Sequence, residues 1–135
     1  MIQRIQTVYL VLAALMALLC MFLPLGFLPD EPTRDAVLAR ENLALLAIGL
    51  VMVSLPLGAV FLYAKRPVQL RMVFAGLLAV MAFAGLVLVE LARYLSEVIW
   101  TVGSFLPIVY ALVLALAIRG IRHDEHLVRS MDRLR

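Results

Sequence analysis

The sequence predicts an all-α integral membrane protein, a bundle of four transmembrane helices with both termini on the cytoplasmic side. Hydrophobic residues make up 65% of the 135-residue chain, well above the roughly 45–50% of soluble domains. They occur in four blocks, each long enough to cross about 30 Å of hydrocarbon. The distribution of cations then favours one orientation of the bundle. A chain of this length predicts one membrane domain, residues 1–135.

The first two apolar blocks predict spans over residues 8–28 and 43–64. A single charge, Arg4, precedes the first block, which at about twenty residues is too long for a signal-peptide core of roughly 7–15 residues. The second block contains Pro56. In a packed membrane bundle a neighbouring helix or a hydroxyl group can satisfy the carbonyl that this proline frees. We therefore expect two uncleaved spanning helices.

The next two blocks predict spans over residues 72–91 and 98–118. The third span is the richest in alanine and glycine, which allow close approach of helices in lipid. We therefore expect it to lie centrally in the bundle. The fourth contains Pro107, where we expect a kink. Between the first two spans, the polar loop over residues 29–42 predicts a short helix that begins at Asp35.

The cations divide unequally between the two sides of the predicted bundle. Three lie on one side, namely Arg34, Arg40 and Arg93. Nine lie on the other: Arg4, Lys65, Arg66, Arg71, Arg119, Arg122, Arg129, Arg133 and Arg135. Because cytoplasmic segments of membrane proteins carry an excess of lysine and arginine, the amino terminus, the second loop and the tail are expected to be cytoplasmic. An even number of spans agrees with this placement.

The tail, residues 119–135, is expected to continue the fourth span as a basic, weakly amphipathic helix. Such a segment can lie on anionic lipid headgroups, where each cation contributes about 1 kcal/mol, or it can dock on a partner protein. The candidate residues for contact with lipid or with a cytoplasmic partner are Arg4, Arg119, Arg122, Arg129, Arg133 and Arg135.

Ionisable residues deep inside a span mark functional sites, because a central charge costs at least about 2.5–3.5 kcal/mol. The predicted spans contain none near their centres. The nearest is Glu90, at the outer end of the third span, with Arg93 three residues later. This spacing places both on one helix face, so we expect an ion pair at the membrane interface. The alternative is a proton or cation site.

His123 and His126 share a helix face, with Asp124 and Glu125 between them. Two histidines do not complete a tetrahedral metal site, and solvated helix residues with a Glu125–Arg129 pair explain the segment better. The chain also lacks a nucleophile–base pair, a glycine-rich phosphate loop and a nucleic-acid motif. We therefore predict no enzyme activity, no catalytic residue, no cofactor, no metal and no nucleic-acid partner.

Two stretches carry a family resemblance: the opening MIQRIQT, residues 1–7, and the closing DEHLVRSMDRLR, residues 124–135. They resemble a family of small four-helix membrane proteins from Bacteroidota-type bacteria that is catalogued as a domain of unknown function. The similarity extends over the whole chain in length and span count, while its specific residues lie at the two ends. The resemblance implies a bacterial inner-membrane location and implies no activity.

These observations lead to two functional hypotheses. The first is a non-enzymatic accessory or scaffolding subunit of a larger inner-membrane assembly, in contact with the lipid bilayer and with a membrane-protein partner or a second copy of itself. The alternative is a small oligomeric transporter or channel, with Pro56 and Pro107 as hinge points. The short chain and the lack of a buried polar pathway favour the first hypothesis.

Overall fold

A computed structural model describes residues 2–27, 36–63, 65–93 and 99–132, with side chains for residues 5–27, 36–63, 65–93 and 99–126. Within these ranges the helices and strands, in chain order, are α1 (Ile2–Phe22), β1 (Pro24–Phe27), β2 (Ala36–Leu38), α2 (Leu43–Phe61), α3 (Arg66–Ala92), β3 (Ile99–Trp100) and α4 (Val102–Asp132).

The four helices are long and apolar enough to cross a membrane. Their candidate spans have mean hydropathies of 2.3, 2.4, 2.7 and 2.0 and cover Ile5–Phe22, Leu43–Phe61, Arg66–Ala92 and Val102–His126. The predicted four-helix architecture is confirmed, and the composition of the helices indicates a multi-pass membrane protein. The helices form a ring in which α1 and α3 each pack against both α2 and α4.

Each helix buries one stripe of side chains. On α2 the buried positions are Leu45, Gly49, Met52, Pro56 and Ala59, which follow one another at intervals of three or four residues. This spacing is the one that lets side chains of neighbouring, nearly parallel helices interlock. The remaining faces carry exposed apolar side chains, as expected for surfaces that contact lipid rather than water.

The predicted central position of α3 is wrong. Only 28% of its candidate span is buried, against 44% for α4. Its small residues do not share one interface. Gly76 packs against Leu114 of α4, whereas a Cβ atom at Gly85 would have no neighbour within 4 Å. The alanine and glycine content was therefore a poor guide to which helix is most enclosed.

A small antiparallel sheet closes one end of the bundle, which we call the sheet end. Strand β1 pairs with both β2 and β3. The first helix therefore ends earlier than predicted, at Phe22, because the chain enters strand β1 at Pro24. The short helix predicted between the first two spans is also wrong for the described part of that loop. There Ala36–Leu38 forms a strand and Ala39–Glu41 forms a 3₁₀ turn. Asp35 lies outside the described residues.

Hydrogen bonds join the start of α4 to this sheet. The hydroxyl groups of Thr101 and Ser104 donate hydrogen bonds to the backbone carbonyls of Pro24 and Leu25. Gly103 lies directly against the Pro24 carbonyl, where a Cβ atom would collide with backbone. From this anchor α4 runs without interruption to Asp132. The predicted helical continuation of the fourth span is confirmed to that residue, and residues 133–135 lie outside the described chain.

Candidate functional site: a groove at the basic end of the bundle

The end of the bundle opposite the sheet gathers cations from α3, α4 and the connection before α3. We call it the basic end; it comprises the first turns of α1, residues 62, 63 and 65 between α2 and α3, the first turns of α3, and α4 beyond Ile118. The up-and-down order of the helices brings these segments together. Its described cations are Lys65, Arg66, Arg71, Arg119 and Arg122.

An open groove of about 560 Å³ lies between α1 and α4 at the basic end. The residues that line it are Ile5, Gln6, Tyr9, Leu116, Arg119, Gly120 and His123. Arg119 and His123 are four residues apart on α4, so they lie one above the other on the same helix face. The groove therefore combines apolar side chains with a cation, an imidazole and a phenol.

The floor of the groove is a close contact between the two helices. Gln6 is 6% exposed, and its Nε2 atom donates a hydrogen bond of 2.9 Å to the backbone carbonyl of Gly120. A Cβ atom at Gly120 would lie 3.3 Å from Cγ of Gln6, so glycine permits the helices to approach here. This bond joins positions 114 residues apart in the chain, and neither residue was predicted from the sequence to take part in a site.

An ion pair holds α4 against α3 beside the groove. The Arg66 guanidinium lies 2.8 Å from the Asp124 carboxylate and donates a second bond of 3.3 Å to the Asp124 carbonyl. The two side chains are 23% and 13% exposed. The interpretation of residues 123–126 as ordinary solvated helix is therefore wrong for Asp124. The predicted Glu125–Arg129 pair involves a side chain outside the described part.

The arginines predicted to contact lipid or a partner have different positions. Arg119 lines the groove, whereas the Arg122 guanidinium lies 5.7 Å from the centre of the Phe74 ring on α3. This distance is typical of a cation–π contact. The side chains of Arg4 and Arg129, and the whole of Arg133 and Arg135, lie outside the description. Arg119 therefore lines the groove, whereas Arg122 contacts α3 and holds α4 against it.

The predicted pair of Glu90 and Arg93 lies at the sheet end. Arg93 lies 3.3 Å from Oε2 of Glu90, whose side chain is 10% exposed. The same carboxylate oxygen accepts a hydrogen bond of 3.1 Å from Nδ2 of Asn42. The Asn42 side chain also accepts from the backbone N–H groups of Ala44 and Leu45 and so caps the start of α2. Asn42, which the sequence analysis missed, therefore links α2 to α3.

Among the described residues, no group of three or more histidine, cysteine, aspartate or glutamate side chains is close enough to hold a metal ion. Cys20 is fully buried within the bundle, where a free cysteine packs as a small apolar side chain.

The length and composition of the four helices indicate a small protein of the multi-pass membrane class. The chain belongs to the family described as Domain of unknown function (DUF4293), whose model matches residues 2–134. The match extends over all four helices and both ends. No curated protein and no solved structure matches the chain.

Proposed function

We propose that this protein is a non-enzymatic accessory or scaffolding subunit of a larger assembly in the bacterial inner membrane, with both termini and the basic end in the cytoplasm. The excess of cations at the basic end supports this orientation. The observation that supports the role most directly is the length of α4. From Arg119 to Asp132 the helix continues for about 20 Å beyond the last apolar stretch.

Two contacts hold the extension of α4 against α3. The Arg66–Asp124 ion pair and the Arg122–Phe74 contact both join it to α3. A helix held in this way can present its remaining faces to a partner with little loss of conformational entropy on binding. His126, at the end of the described side chains, is exposed. The basic surface of the extension is thus suited to contact with another protein of the assembly.

The interior of the bundle supports an accessory role over transport. Among the described residues, the buried amide and carboxylate side chains are those of Gln6, Gln69 and Glu90. The first two lie at the basic end and the third at the sheet end. Between them the large side chains of Phe83 and Tyr110 are fully buried. A continuous polar path would need further polar groups at this level.

Affinity purification of the tagged chain from its native membrane, in mild detergent and with mass spectrometry, tests the proposal. We expect a partner in stoichiometric amount with the full chain and its loss when residues 119–135 are deleted. Arg71→Gln is the matched control, because Arg71 is an exposed cation of the same end that is not among the predicted contact residues, and it should retain the partner. Recovery of the full chain alone, as a defined oligomer that conducts ions or solutes in proteoliposomes, would contradict the accessory role and favour a transporter or channel.

A further inference from the structure

The groove between α1 and α4 has two chemically different zones. The deeper zone is apolar at Leu116, which is exposed and belongs to the apolar run of α4. The outer zone contains the polar side chains of Arg119 and His123, with Ile5 at the same end of the groove and Tyr9 one turn deeper on α1. A ligand that fills both zones must carry an apolar chain and a group that accepts hydrogen bonds from a cation.

The position of the groove along the helices matches this division. The apolar run of α1 begins at Val8, and Arg119 is the first charged residue after the apolar run of α4. If the four helices span a bilayer, the groove therefore crosses the boundary between hydrocarbon and headgroups. Tyrosine is enriched at this depth of membrane proteins, and Tyr9 lies there.

Arg119 is the cation of the basic end that is best placed to receive an anion in the groove. Arg66 is neutralised by Asp124, and Arg122 is directed onto the ring of Phe74. Arg119 is exposed and lines the groove, and it forms no ion pair within the described part of the chain. The carboxylate of Asp124, the nearest acidic residue after His123 in the chain, is already bound by Arg66. The groove therefore has a positive charge that no described carboxylate balances.

We propose that the groove binds one anionic phospholipid, with the phosphate group at Arg119 and His123 and an acyl chain that extends past Leu116 towards the hydrocarbon. Guanidinium groups bind phosphate oxygens through strong, charge-assisted hydrogen bonds. Imidazole and phenol groups add donors at the same depth. The Gln6–Gly120 hydrogen bond fixes the separation of α1 and α4 and so preserves the shape of the site. This inference rests on insertion of the helices into a bilayer and is independent of the accessory role.

The site is tested by native mass spectrometry of the full chain in detergent. Phosphatidylglycerol or phosphatidylcholine with the same acyl chains is added, and binding of the two lipids is compared. We expect phosphatidylglycerol to bind more tightly, and Arg119→Gln to weaken that binding by about tenfold, the effect of losing one charge-assisted bond. His123→Gln should weaken it less. Arg71→Gln is the matched control, because Arg71 is an exposed cation of the same end that does not line the groove; its effect should stay within about twofold.

Three results would overturn the proposal. Equal affinity for the two lipids would show that the groove does not select an anionic headgroup. Equal losses from Arg119→Gln and Arg71→Gln would show that overall charge, rather than the groove, attracts the lipid. Displacement of phosphatidylglycerol by inorganic phosphate at a similar concentration would identify a site for soluble anions. Circular dichroism of each variant confirms that the helices remain folded, so that a lost signal reports on binding.

Discussion

The hydroxyl group of Tyr110 on α4 donates a hydrogen bond of 2.9 Å to the backbone carbonyl of Met52 on α2. Met52 lies four residues before Pro56, and proline has no N–H group to donate to the carbonyl at that position. Tyr110 therefore satisfies the carbonyl that Pro56 frees inside the bundle. The same hydroxyl group lies beside Gly76, where a Cβ atom would be 3.3 Å away. One side chain thus connects α4 with both α2 and α3.

The first prediction concerns this bond. Tyr110→Phe should lower the free energy of unfolding by about 1 kcal/mol, a usual value for one hydrogen bond between membrane helices. In a Pro56→Ala background, Tyr110→Phe should lower the free energy of unfolding by less, because the restored N–H group of residue 56 can bind the Met52 carbonyl within α2. Unfolding in mixed micelles measures both effects. Tyr63→Phe, at an exposed tyrosine, is the control, and equal losses in the two backgrounds would rule out the coupling.

The second prediction concerns the contact between α4 and β1. Gly103→Ala should destabilise the protein by about 1–3 kcal/mol, the usual cost of overpacking, because the new Cβ atom meets the Pro24 carbonyl. Gly85→Ala is the matched control, since its Cβ atom would meet nothing within 4 Å. Its stability should be unchanged or slightly higher. Thermal denaturation in detergent compares them, and equal stability of the two variants would mean that the contact is absent.

The four helices could be predicted from the sequence because each apolar block is about as long as a bilayer is thick. The sheet could not. Its strands contain four, three and two residues, too few to show an alternating pattern, and they pair residues far apart in the chain. Pro24 did not mark the end of α1 either, since Pro56 and Pro107 lie inside helices of the same chain.

The candidate site was predicted in part. Positive charge at the basic end, including Arg119, follows from the count of cations on each side. The groove itself depends on how closely α1 and α4 approach, which Gln6 and Gly120 decide through a contact that leaves no local signal in the sequence. The contact between Arg66 and Asp124 likewise leaves no local signal in the sequence, because the two residues lie 58 positions apart in the chain.

The third prediction concerns the ion pair that braces α4. Asp124→Asn and Arg66→Gln should each destabilise the protein, and the double variant should lose less than the sum of the two. We expect a coupling of about 1 kcal/mol, near the upper end for exposed pairs, because both side chains are partly buried. Unfolding of all four proteins at low salt measures it. Strictly additive losses would show that the two charges do not interact.

The fourth prediction concerns two buried glutamines. Gln69 is 3% exposed, and its side chain forms no hydrogen bond within the described part of the chain. Gln69→Leu should therefore raise the free energy of unfolding by about 1 kcal/mol, since the cost of an unsatisfied buried amide is removed. Gln6→Leu is the comparison and should lower it, because the bond to Gly120 is lost. A loss of stability in Gln69→Leu would indicate that Gln69 has a partner.

Cysteine labelling in intact bacterial cells tests the central claim, that four helices cross the membrane with the basic end in the cytoplasm. In a Cys20→Ala background, Trp100→Cys places one thiol at the sheet end and His126→Cys places one at the basic end, both at exposed positions. We predict that a membrane-impermeant maleimide labels Trp100→Cys in intact cells and labels His126→Cys only after permeabilisation. Labelling of His126→Cys in intact cells, with Trp100→Cys protected, would contradict the orientation on which the proposed function depends.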